Sequence, residues 1–170
     1  RGHWAEEAVD WAFTAGITDG CPMVGVLACP ELAVTRDEMA QFMWRFKSLP
    51  QATVSAAFDD VSADATYGPA VNWLAENGIT LGCTPTSYCP DGTVTRAEVA
   101  AFLWRLEGSP EGSTPAGFTD VPDESFAAEA VDWLLASETT TGCTTTSYCP
   151  EGVVTRAEMF TFLKRLEDAT

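Results

Sequence analysis

The sequence predicts a mainly α-helical protein assembled from three copies of one unit, and three observations carry that expectation. Apolar residues recur at helical spacing in two segments of each copy, and every second segment opens on Thr-Arg-x-Glu. Landmark residues return every 60 positions, Arg36 to Arg96 to Arg156 and Cys29 to Cys89 to Cys149. Self-similarity at a fixed period marks stacked repeats, each too small to bury its apolar face alone. Trp11, Trp73 and Trp133 follow at 62 and 60, the two extra residues lying in the first cysteine loop.

Each unit reads as an aromatic-Asp-Val opening, a helix, a cysteine loop and a second helix. The opening is Phe58-Asp59-Asp60-Val61 in the second copy and Phe118-Thr119-Asp120-Val121 in the third. The first copy begins just where its opening would end, so the chain is expected to start inside a repeat and to belong to a longer protein. The first helices are expected over 6–15, 67–77 and 125–137, with Val9, Ala12 and Phe13 matched by Val71 and Leu74 and by Val131 and Leu134. Gly16 and Gly78 then open a Gly-Ile-Thr that suits a left-handed C-cap. In the third copy Glu138 stands there, and a positive φ costs Glu more than Gly, so this turn must be strained or built differently.

The second helices are expected to start at the N-caps Thr35, Thr95 and Thr155, with Glu38, Glu98 and Glu158 completing capping boxes. Their apolar stripes are Met39, Phe42, Met43, Phe46, then Val99, Phe102, Leu103, Leu106, then Met159, Phe162, Leu163, Leu166. Pro50, Gly108 and Pro110 mark where two of them have ended. Segments 50–57 and 108–117 read as connectors, dividing the chain into units 1–49, 50–109 and 110–170. Extended backbone is expected only near 58–61 and 153–154.

Composition narrows the function classes. With 25 acidic against 9 basic side chains and a net charge of -16, binding to nucleic acid or an anionic membrane surface through bulk charge is excluded, whereas a local cationic site is not. No apolar run approaches the roughly 20 residues of a transmembrane helix, so membrane insertion is not expected. Repeat logic pairs the six cysteines as Cys21 with Cys29, Cys83 with Cys89 and Cys143 with Cys149. A zinc site competes with this reading, but the spacing is far from a zinc knuckle and the single histidine, His3, lies outside all three loops. Disulfides place the protein outside the cytoplasm, each contributing on the order of 2 to 2.5 kcal/mol by chain entropy.

The ordered set Gly2-His3-Trp4-Ala5, Ala8-Val9-Asp10-Trp11, Gly-Ile-Thr-x-Gly and Thr-Arg-Ala-Glu-x-x-x-Phe-Leu-x-Arg resembles the S-layer homology domain across essentially the whole chain. The Gly-Cys insertion before the Thr-Arg motif resembles the form found in secreted actinobacterial proteins. The resemblance implies pseudo-threefold symmetry, with one helix of each unit in a central bundle, another projecting, and grooves between units. It further implies a cell-surface role: anchoring a secreted protein to a cell-wall polysaccharide, with a pyruvylated sugar carboxylate meeting the Thr-Arg-Ala-Glu arginine. That assigns Arg36, Arg96 and Arg156 as ligand-binding residues.

The residues bear on this assignment separately. Arginine at the first helical position is electrostatically misplaced against the positive helix N-terminus. A carboxylate accepting from free backbone N–H groups and the guanidinium together would turn that misfit into a site. The plain alternative is an ion pair with Glu from a neighbouring unit. Eight of nine basic residues fall in these three segments: Arg36, Arg45, Lys47, Arg96, Arg105, Arg156, Lys164 and Arg165. Trp11, Trp73 and Trp133, with Gly16 and Gly78, join the candidate binding residues, although Trp beside Val and Leu at helical spacing puts most of each ring in the core. Trp44 and Trp104 sit at the stripe's edge, where Lys164 stands in the third copy.

No phosphate loop or nucleophile elbow is present, and the acidic residues form no EF-hand pattern. Catalysis, cofactors and a dedicated metal site are therefore not expected. The third unit is expected to bind worst, because Glu138 and Thr139 add charge and bulk beside its arginine. The competing reading is assembly with copies of itself, or contact with the rest of a longer secreted chain, through the same grooves.

Overall fold

Six helices form where the periodicity places them: α1 Glu6–Thr14, α2 Arg36–Phe46, α3 Gly68–Glu76, α4 Arg96–Leu106, α5 Ala128–Ala136 and α6 Arg156–Ala169. The structure, a computed structural model, describes residues 4–21, 28–55, 58–62 and 64–169, so His3 and Gly2 lie outside the described residues. Among the described residues there is no strand, only isolated bridges such as Thr35 with Thr93 and Thr95 with Val153. The expectation of extended backbone thus holds at Val153 but not at 58–61, where Asp59 and Asp60 form a turn. Lys47 falls one residue beyond α2, at its C-cap, so it is not a helix residue.

The architecture turns on a ring of three backbone hydrogen bonds. Val34 N–H donates to Val154 O (2.9 Å), Val154 N–H to Val94 O (3.0 Å) and Val94 N–H to Val34 O (3.1 Å). All three valines are fully buried. The ring sits two residues ahead of α2, α4 and α6 and sets these helices around one pseudo-threefold axis. Apolar faces close the bundle: Met39, Met43, Leu103, Met159 and Leu163 are buried, and the Phe42 and Phe160 rings meet edge-on at 5.1 Å.

The outer helices do not pack on the inner helix of their own unit. α3 packs on α2, α5 on α4, and α1 reaches back to α6. Each packing pair therefore joins one unit's second helix to the next unit's first. The last pair closes the chain onto itself, with Trp11 Nε1 donating to Glu167 Oε2 at 2.6 Å.

The C-cap turns carry positive φ at Gly16 (71°) and Gly78 (68°), as their composition requires. Glu138 adopts φ 59°, so the third turn keeps the same path and is strained rather than rebuilt. The disulfides join Cys21–Cys29, Cys83–Cys89 and Cys143–Cys149, with Cα separations of 5.9, 6.0 and 6.0 Å. The aromatic-Asp-Val openings brace the second and third of these loops. Asp60 accepts the N–H groups of Tyr88 (2.7 Å) and Cys89 (2.8 Å), and Asp120 those of Tyr148 and Cys149 (both 2.8 Å). Burial works to raise the Asp60 carboxyl, but the Tyr88 and Cys89 N–H groups outweigh it and hold the group below its ordinary value.

Candidate functional site

The Thr-Arg-x-Glu motif builds the junction between units. Glu98 Oε2 accepts its own Thr95 N–H at 2.8 Å, capping α4, while Oε1 of the same carboxylate accepts Arg36 Nη1 from the preceding unit at 3.0 Å. Glu158 repeats this with Thr155 and Arg96, and Glu38 with Thr35 and Arg156. The three ion pairs run round the axis, the last joining the third unit to the first. Each arginine also donates Nε to a cysteine-loop carbonyl, of Tyr88, Tyr148 and Ala28 respectively, at 2.8 Å. Arg36, Arg96 and Arg156 are only 4%, 7% and 1% exposed, so these are buried junctions rather than surface charges.

The helix N-termini are not open to an anion, which corrects the expectation of free backbone donors. Arg36, Arg96 and Arg156 N–H groups donate to Gly92, Gly152 and Leu32 carbonyls, and the next N–H groups to Pro90, Pro150 and Pro30. The neighbouring cysteine loop thus occupies the donors that would have held a carboxylate. What remains available is side-chain chemistry.

Two rings lie against each guanidinium. Arg36 lies over Tyr88 and Phe102, 5.1 and 5.5 Å from their centroids, and Arg96 over Tyr148 and Phe162 at 4.9 and 5.4 Å. The first cysteine loop offers Ala28 where the others have tyrosine. Arg156 stacks instead on Phe42 and on Phe160, which replaces the alanine found at positions 40 and 100. Burial pushes the Tyr88 and Tyr148 hydroxyls up, keeping them protonated donors to the Arg36 and Arg96 carbonyls at 2.7 and 2.9 Å.

Among the described residues, grooves lie at the Arg36 and Arg96 junctions. The first, about 310 Å³, is lined by Arg36, Leu81, Gly82, Cys83, Glu98, Ala101, Phe102, Arg105 and Phe126. The second, about 170 Å³, is lined by Trp4, Arg96, Thr140, Thr141, Gly142, Glu158, Thr161, Phe162 and Arg165. Every groove combines three units, with the arginine from one, the turn and inner helix from the next, and an aromatic from the remaining one. Each sets two arginines against one glutamate, a local positive field in an acidic protein.

The third junction is filled by its own chain. Arg156 Nη2 donates to Thr18 Oγ1 (2.9 Å) and Gly20 O (2.8 Å), and Asp19 pairs with Arg45 at 3.0 Å. Burial lowers the Arg156 pKa, and Glu38 opposes that shift. By contrast Arg36 Nη2 is buried with no hydrogen-bond partner. The pairing of turns with arginines also overturns the expectation about Glu138. Its turn continues into Thr140 and Thr141 of the Arg96 groove, while Arg156 faces the Thr18 turn of the first unit.

Other candidates are distributed differently. Trp11, Trp73 and Trp133 are half-buried against the core and line neither groove; Trp11 packs on Phe46 at 6.3 Å. Gly16 and Gly78 sit at exposed turns with open space around them. Trp44 and Trp104 are half-buried, donating to Pro50 and Pro110 carbonyls. Sequence reasoning missed Tyr88, Leu81, Phe126 and Trp4, although signals existed: Trp4 and Phe126 each stand seven residues ahead of a landmark tryptophan. It also did not single out Gly82 and Gly142. A Cβ at Gly82 would lie 2.5 Å from the Ser87 and Thr84 carbonyl oxygens, and the Gly-Cys dipeptide recurs in every loop.

The family model of the S-layer homology domain matches residues 57–100 and 117–160, more than half of the chain, so the chain belongs to the S-layer homology domain family. It is 24% identical to an S-layer protein of Bacillus thuringiensis subsp. finitimus over 97% of the chain and 20% of that protein. It is 30% identical to a middle cell wall protein of Brevibacillus brevis over 84% of the chain and 13% of that protein. A stretch covering 44% of the chain is 36% identical to 6% of endo-1,4-beta-xylanase A of Thermoanaerobacterium saccharolyticum. The chain spans at most about a fifth of the length of these relatives, so the likeness to an enzyme is a likeness to a small part of it. Membership of the family, with S-layer and cell wall proteins as relatives, places the chain outside the cell at its surface, where disulfides persist. Among the described residues no helix is long and apolar enough to cross a membrane, and no cluster of three or more His, Cys, Asp or Glu could hold a metal ion.

Proposed function

We propose that this chain is a three-unit, non-catalytic anchoring module, divided near residues 50 and 110, that holds a larger secreted protein on a cell-wall polysaccharide. It binds an acidic, pyruvylated sugar in the grooves of Arg36 and Arg96. The observation that carries this reading is Arg36 Nη2: a buried guanidinium nitrogen without a partner, in a residue lining an open groove beside a second arginine. A buried donor left unpaired costs about 1 to 3 kcal/mol, and a carboxylate in the groove offsets that cost with a charge-assisted hydrogen bond. The exposed Phe126 and Trp4 rings offer apolar faces on which a sugar ring stacks.

Calorimetric titration of the oxidised protein with a synthetic pyruvylated N-acetylmannosamine glycoside tests this. Saturable binding that is lost in the Arg36→Ala, Arg96→Ala double variant is expected. A folded wild-type protein that gives no heat refutes the proposed ligand.

A further inference from the structure

We infer that the module has two working grooves of unlike specificity and one groove permanently closed by its own chain. The turn position held by Leu81 in one open groove and by Thr141 in the other sets their specificities. This rests on the glycan reading above and goes beyond it in assigning the number and selectivity of the sites.

The closed groove follows from hydrogen-bond capacity. A guanidinium has five N–H donors in a rigid fork. In Arg156 the Nε, Nη1 and Nη2 nitrogens are all engaged, with Ala28 O, Glu38, Thr18 Oγ1 and Gly20 O as acceptors. A ligand carboxylate would have to displace two contacts within hydrogen-bond distance and then meet Asp19, whose charge already pairs with Arg45. The turn itself differs, Gly20 having φ 115° where Gly82 and Gly142 both have 80°. Its loop is longer, the cysteines standing 8 apart rather than 6.

The open grooves differ at the same turn position. Leu81 is 69% exposed and, with Phe126 at 67%, lines the Arg36 groove. Apolar side chains exposed to that degree beside an arginine suit a carboxylated sugar that also carries an apolar substituent. The Arg96 groove has about half the volume, with Thr140, Thr141 and Thr161 on its walls and the indole of Trp4 as a large exposed apolar group. Three hydroxyls and an aromatic face suit a carboxylated sugar whose remaining substituents are hydroxyl groups.

Two probes separate these outcomes by calorimetry: the pyruvylated N-acetylmannosamine methyl glycoside, bearing a carboxylate and a methyl group, and methyl glucuronide, bearing a carboxylate among hydroxyls. The stoichiometry should reach two, never three. Arg36→Ala should remove the stronger site for the first probe, and Arg96→Ala the stronger site for the second. Leu81→Thr should weaken only the first probe, by about tenfold, the size of effect one apolar contact provides. The indole N–H resonance of Trp4, assigned with a Trp4→Phe variant, should shift on methyl glucuronide binding in Arg36→Ala but not in Arg96→Ala. Three sites, or two that both probes fill equally, overturn this inference while leaving the glycan reading intact. Silence with both probes overturns the glycan reading and this inference with it.

Discussion

Replacing Arg156 with alanine should destabilise the protein more than replacing Arg36, although the two occupy the same position in their units. Both variants lose an ion pair between a buried arginine and a partly exposed glutamate, and an Nε bond to a cysteine-loop carbonyl. Losing such a charge-assisted pair, whose glutamate stays partly solvated, costs about 1.5 to 3 kcal/mol. Arg156 additionally loses the Nη2 bonds to Thr18 and Gly20, whereas Arg36 Nη2 has no bond to lose. After the freed acceptors are partly rehydrated, two such bonds leave a difference of about 2 kcal/mol. For a chain of 170 residues that is about 4 to 8 °C in Tm. Urea melts of both oxidised variants at neutral pH, with m compared to exclude a change in the denatured state, measure it. Equal losses, or a larger loss at Arg36, would refute the view that Arg156 is a structural keystone.

Three further outcomes follow from the turns and the loop brace. Gly82→Ala should cost at least about 2 kcal/mol in chemical denaturation, because its Cβ meets two carbonyl oxygens at 2.5 Å, whereas Gly78→Ala, with open space at φ 68°, should cost about 1 kcal/mol. Glu138→Gly should raise the melting temperature, relieving the side chain held at φ 59° by about 0.5 to 1 kcal/mol; a lower value would mean the turn is not strained. The Asp60 carboxyl is held below its unfolded value, so its contribution is full above about pH 4 and is lost as pH falls through the folded pKa. Thermal melts from pH 2 to 7 should therefore show a shallower acid limb in Asp60→Asn than in wild type.

Much of the fold was legible because local rules and the period agree. The capping boxes, the helical stripes and the glycine C-caps sit within a few residues of one another, and the structure places a helix at each. The site was legible only in part. The Thr-Arg-x-Glu motif picked out the side chains that form the junctions between units, but its local meaning as a helix start concealed that one carboxylate serves two units. The tryptophans drew attention as aromatics, yet spacing along a helix gives no information about which neighbour covers the ring.

From residue types and spacings alone came the unit, its three copies, the helices and the cysteine pairs, since each depends on contacts within a few turns of chain. Which arginine meets which turn was decided only by the tertiary structure. The valine ring and the return of α1 to α6 shift every partnership by one unit, so Arg156 faces Thr18, and the grooves of Arg36 and Arg96 are left open. Three similar units closing a ring must meet their neighbours across it, and small differences at Asp19, Leu81, Thr141 and Ala28 then act on an arginine in another unit, a coupling that lies outside any local window of sequence.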